Sequence, residues 1–98
     1  KDGNAYGLRV RGTSMHPRMK EGEVVSVSPN TAPMPGDEVV VRTLDGAVMV
    51  KELVYERNGE IALDSVAAGE PRIVLRRTDL EFVHTVTGVH RASSIKQR

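Results

Sequence analysis

Residues 38–64 read EVVVRTLDGAVMVKELVYERNGEIALD. Three runs rich in valine and other apolar residues are separated by Asp45-Gly46 and Asn58-Gly59. Asp-Gly and Asn-Gly between apolar runs are the strongest short-range hairpin signals, because these residues tolerate the positive φ of tight turns. The stretch is therefore expected to form an antiparallel meander of Glu38–Thr43, Ala47–Arg57 and Glu60–Asp64. A helix competes only over 47–57, where Val50, Leu53 and Val54 would share a face. The β-branched residues and the glycine turn at each end favour the strand.

Strand signals continue on both sides of the meander. Upstream, VVSVS (24–28) is followed by PNTAPMPG (29–36), whose prolines and glycine exclude a helix. Tyr6, Leu8 and Val10 alternate with Gly7, Arg9 and Arg11, the period-two pattern of a half-buried strand ending at Gly12. Downstream, Arg72–Leu75 reads as a short strand and Phe82–Val89 as a longer one. The tail after Arg91 has little to bury and is expected to fray. The chain of 98 residues suits one domain, 1–98. The expected class is mainly β: a small, closed, multi-stranded sheet.

Composition narrows the function classes. The chain has no cysteine, which excludes thiol catalysis, disulfides and cysteine-ligated zinc. No apolar run approaches the roughly 20 residues of a membrane span, so no membrane partner is expected. A net charge of +1 is too small for a domain whose main task is gripping phosphates. With only three aromatic residues, Tyr6, Tyr55 and Phe82, the bases of a single strand would find no stacking platform. Arg72, Arg76 and Arg77 read as solvated surface. The histidines are His16, His84 and His90. His84 and His90 would share one strand face but lie roughly 20 Å apart, so no metal site is expected. No phosphate-binding glycine loop is present, and no cofactor is expected. The first residue is Lys1 rather than Met, as expected of a fragment or a processed product.

The remaining chemistry lies in VRGTSMHPRM (10–19) and Lys51. Ser14 follows the first strand in a turn. There its hydroxyl either bonds the turn backbone or points outward beside N–H groups free to meet an oxyanion. Lys51 falls on the strand face of Met49, Leu53 and Tyr55, while Val48, Val50, Glu52 and Val54 occupy the other. A lysine on such a face either snorkels to water or is desolvated, which favours the neutral amine of a general base. Taken together, the two features suggest a Ser/Lys dyad for amide attack.

At this point the chain resembles the C-terminal domain of the LexA and phage-repressor family of self-cleaving regulators, with UmuD-type mutagenesis proteins and, more distantly, signal peptidases as relatives. The resemblance runs from about Gly7 to Arg91. VRGTSMHP (10–17) matches the family's V-x-G-x-S-M-x-P, and VKEL (50–53) resembles its V-K-R-L lysine strand. GEVVSV (22–27), GDEVVV (36–41) and Thr87-Gly88-Val89 resemble its other strand signatures. The resemblance implies Ser14 as nucleophile and Lys51 as general base. Gly12 would permit close approach of the substrate backbone, with Met15 and Pro17 shaping the turn.

It further implies a homodimer, the protein's own linker as substrate at an Ala-Gly or Cys-Gly bond, stimulation by a RecA filament in the SOS response, and cytoplasmic action. DNA would be bound only through an N-terminal domain absent from this chain. Three features depart from the pattern. Glu23 stands where the family has Asp. Asp64-Ser65-Val66-Ala67 replaces a segment that commonly contains Asn. No Ala-Gly bond precedes Gly7, while Ala68-Gly69 lies downstream of Ser14, so this chain is not expected to cut itself in the usual way. Two alternatives remain open: a repressor dimerisation domain that does not cleave, and a UmuD-type processed fragment that partners a polymerase.

Overall fold

Val39, Val40 and Val41 are each at most 1% exposed, so the strand that carries them is covered on both faces. In a computed structural model, which describes residues 3–91, seven strands form: β1 (Tyr6–Arg9), β2 (Val24–Ser28), β3 (Glu38–Thr43), β4 (Val48–Arg57), β5 (Glu60–Asp64), β6 (Ile73–Arg76) and β7 (Leu80–His90). The expected fraying concerns residues 92–98, outside the described residues. One antiparallel sheet joins all seven strands in the order β1-β2-β7-β3-β4-β5-β6. The protein is mainly β, as its sequence pattern predicts, and β3-β4-β5 is the expected meander.

β2, β3 and β5 fall where the sequence places them, and the other bounds differ. β1 stops at Arg9 rather than running to Gly12. Val10 instead bonds Glu23 and Gly22 through its backbone, at 2.7 and 2.9 Å, which turns the chain away from the ladder. Ala47 belongs to the turn, its N–H donating to the Thr43 hydroxyl at 3.0 Å. β6 lies one residue later than expected, and β7 is longer at both ends. Asn58 and Gly59 have φ of 53° and 75°, the left-handed pair that their hairpin turn requires.

Because side chains alternate along a strand, the two faces of β3 feed two cores. Val39 and Val41 pack with Leu53, Ile61, Leu63, Leu80 and Val83. Val40 packs with Val10, Met15, Met19, Val25 and Val27. Three single-residue register steps fit the strands to these cores, at Glu81 and Thr87 in β7 and at Val54 in β4. An extra residue in one strand reverses which side its successors face and bends the sheet.

Two expectations are thereby corrected. Thr87 separates His84 from His90, so the two histidines point to opposite faces rather than one. Val54 likewise moves Tyr55, which pairs with Ala62, off the face of Leu53. Tyr55 instead meets the Arg57 guanidinium 4.0 Å above its ring. Among the described residues no cluster of three His, Asp or Glu side chains is placed to hold a metal ion.

His84 lies on the Val40 face of the sheet. Its ring stacks on Phe82 at 3.9 Å, and its Nδ1 shares a 2.7 Å hydrogen bond with the Tyr6 hydroxyl. Burial holds the His84 imidazole below its ordinary value and pushes the Tyr6 phenol above its own. The unfolded chain therefore binds the His84 proton more readily than the folded one. Stability should fall as pH drops from about 6.5 toward the lowered folded value, and rise again over the same window on alkalinisation. Urea denaturation between pH 5 and 7.5 is expected to show this slope, and His84→Phe to flatten it. In the same assay Leu63→Ala, at a fully buried site, should cost about 2–5 kcal/mol. Leu44→Ala, in an exposed turn, should stay within about 0.5 kcal/mol.

Candidate functional site

The turn after β1 is built around two buried methionines. Met15 and Met19 are 2% and 0% exposed, and Met19 N–H donates to Met15 O at 2.9 Å. They anchor residues 12–19 in the Val40 core and leave the intervening polar residues outside. Gly12 has a φ of 79°, a backbone shape that a side chain would strain. His16 and Pro17 are exposed, joined by a cis peptide bond. Arg18 ties the turn to β3 through Glu38 at 2.9 Å.

Ser14 is half-buried beside Met15. Its carbonyl accepts a 2.8 Å bond from Ala67 N–H, which fixes the peptide and aims the turn. The Ser14 and Met15 N–H groups donate to no acceptor among the described residues. Adjacent N–H groups in this condition are suited to a developing oxyanion.

Lys51 is 8% exposed. It stands opposite Val39 in the ladder, on the face of Met49 and Leu53. Its Nζ donates to Ser65 Oγ at 2.6 Å. Among the described residues no carboxylate is paired with it.

Ser65 is the hydrogen-bond partner of Lys51 that the sequence reading did not single out. It lies in the loop between β5 and β6, and that loop meets both candidates: Ser65 bonds the Lys51 side chain and Ala67 bonds the Ser14 backbone. The base of the loop is closed by Arg72 on Asp64, two bonds of 2.8 and 3.1 Å. This forked contact holds the Asp64 carboxyl below its ordinary value. Arg72, read from sequence as part of a solvated cluster, is exposed but paired. The signal for Ser65 was the ladder register, and the Val54 step hid it. Counted from Asn58-Gly59 without that step, the residue opposite Lys51 is Val66. With the step Glu52 faces Asp64, and the next position across from Lys51 is Ser65.

A cavity of about 330 Å³ opens beside Ser14, lined by Leu8–Arg11, Ser14, Met15 and Val48–Val50. It lies between two strand edges. β1 is paired on one side only, with β2. β4 pairs with β3 along Val48–Lys51, but β5 joins it only from Glu52 onward. Free N–H and C=O groups on both walls offer an extended peptide the hydrogen bonds of an added strand. Leu8, Val10, Met15, Met49 and Val50 supply an apolar lining.

A sequence model described as Peptidase S24-like matches residues 1–87. No curated protein gives a significant match.

Lys51→Met should replace a buried amine with an apolar chain of similar length. Near pH 7 urea denaturation is expected to find this variant as stable as the parent or more so. A loss of several kcal/mol would assign Lys51 a structural role as a charged, paired group.

Proposed function

We propose that this chain, which belongs to the Peptidase S24-like family of serine peptidases, is the catalytic and dimerising domain of a LexA-like or phage transcriptional repressor, residues 1–98 forming that one domain. The family match supports a repressor-type domain in general, and the finer assignment is our reading. The observation that carries it is the arrangement around one loop. A buried lysine without a carboxylate partner and a serine beside unpaired N–H groups are both tied to residues 65–67, next to a peptide-sized cleft.

In this reading a linker segment lies extended along β1 and the free edge of β4. The neutral Lys51 amine takes the Ser14 proton as Oγ bonds the scissile carbonyl carbon. The carbonyl oxygen becomes an oxyanion facing the Ser14 and Met15 N–H groups. As the intermediate collapses the C–N bond breaks, and the Lys51 ammonium gives its proton to the leaving amine. Lys51 then takes a proton from water, whose oxygen attacks the acyl ester, and returns it to Ser14 Oγ.

The same reading gives the protein a homodimeric, cytoplasmic form. Its own linker is the substrate, a RecA filament is a stimulating partner, and DNA is reached through a separate N-terminal domain. No helix among the described residues is long and apolar enough to cross a membrane.

Peptidase assays with a reporter peptide containing an Ala-Gly bond test the proposal. Cleavage should quicken from pH 7 to pH 10, as an amine general base requires. Ser14→Ala and Lys51→Ala should each abolish it, and the double variant should be no worse than either single one, as for groups acting as a unit. A flat pH profile, or activity surviving Lys51→Ala, contradicts the dyad. No cleavage by the parent chain at any pH would favour a domain that dimerises without cutting.

A further inference from the structure

We propose that Ser65 is the positioning residue of this site: its hydroxyl fixes the rotation of the Lys51 amine so that the lone pair is available to Ser14. The inference rests on the reading of Lys51 as general base and deepens it.

The first support is contact. The 2.6 Å bond to Ser65 Oγ is the hydrogen bond that the Lys51 side chain makes among the described residues, and it is partly shielded from water. A neutral amine has two N–H bonds and one lone pair. Donating one N–H to Ser65 removes free rotation about Cε–Nζ and leaves the lone pair in a restricted set of directions.

The second is charge. A serine hydroxyl accepts from lysine in either protonation state, so it holds the amine without keeping it protonated. An aspartate in the same place would favour the ammonium and oppose proton uptake from Ser14. The Asp64 carboxylate, one residue away, is instead engaged by Arg72. Its two bonds to Arg72 leave Ser65 as the loop's contact with the amine.

The third is register. The Val54 step places Ser65 across from Lys51 on the same face of the β4–β5 hairpin. Two residues further on, Ala67 N–H grips the Ser14 carbonyl. One short loop therefore sets the base and the nucleophile relative to each other.

The test uses the 98-residue chain, the Ala-Gly reporter peptide and side-chain NMR of Lys51. Ser65→Ala should lower kcat by about 10²-fold, the scale of a misplaced catalytic group, with KM little changed. Ser65→Thr, which keeps the hydroxyl, should restore most of the rate. In a Lys51→Ala background Ser65→Ala should have no further effect. Ser65→Asp should move the alkaline rise in rate to higher pH, because the carboxylate favours the ammonium. Independently of cleavage, the Lys51 amine N–H protons should exchange with water more slowly in the parent and in Ser65→Thr than in Ser65→Ala.

A Ser65→Ala rate within about threefold of the parent, an unmoved pH profile in Ser65→Asp, or Lys51 amine exchange unchanged by Ser65→Ala would each overturn the positioning role. If Ser14→Ala and Lys51→Ala abolish cleavage while Ser65→Ala does not, the dyad stands and only this inference falls. If Ser14→Ala leaves the rate intact, both fall.

Discussion

The fold depends on burying β3 from both sides. Three consecutive valines cannot all face one core, since neighbours in a strand point in opposite directions. The sheet answers with two cores, one over Val39 and Val41 and one over Val40. The flanking strands must serve both. β7 does so by inserting Glu81, which lets Leu80 enter one core and Phe82 join the other. The methionine turn is held by the second core, and Lys51 extends from the strand that borders the first. The turn and the lysine-bearing strand thus lie toward different faces of β3, and residues 65–67 are what touches both.

A smaller constraint completes the site. β4 and β5 are joined by an Asn-Gly turn that sets one register, and Val54 resets it by one residue. Without that step a valine would stand opposite Lys51, and the amine would be buried with no hydrogen-bond acceptor, at considerable cost. With it, Ser65 meets the amine and Ala67 reaches Ser14. β5 also ends at this point, which leaves the edge of β4 open beside the cleft. The same event in the ladder satisfies the lysine and exposes the groups that an extended substrate would use.

Much of this was legible in the residues. The Asn-Gly and Asp-Gly turns, the valine-rich runs and the proline-rich connection located β2, β3 and β5 to the residue, because each carries a local physical signal. The anchoring of the turn by Met15 and Met19 was not read, because Met15 entered only as a residue shaping the turn and two isolated methionines carry no strand or helix period. The faces of Tyr55 and His90 were not. A one-residue bulge changes no composition, and it is decided by how strands fit two cores rather than by the residue inserted. Ser65 was hidden for the same reason. Its role follows from the register of a hairpin whose register shifts midway, and a serine after a strand otherwise looks like ordinary turn chemistry. The strand that seemed to run to Gly12 ends early because Val10 leaves the ladder to bond the segment before β2.

In the proposed reading Ser14, Lys51 and the 65–67 loop form one peptide-cutting site. A high-resolution structure of the Ser14→Ala chain bound to an Ala-Gly peptide tests it most directly. The peptide should lie as an extended strand between β1 and the Val48–Val50 edge. Its scissile carbonyl oxygen should meet the N–H groups of residues 14 and 15, and Lys51 Nζ should remain on Ser65 and face the position of the missing hydroxyl. A peptide bound elsewhere, or a Lys51 amine turned away from residue 14, would contradict it.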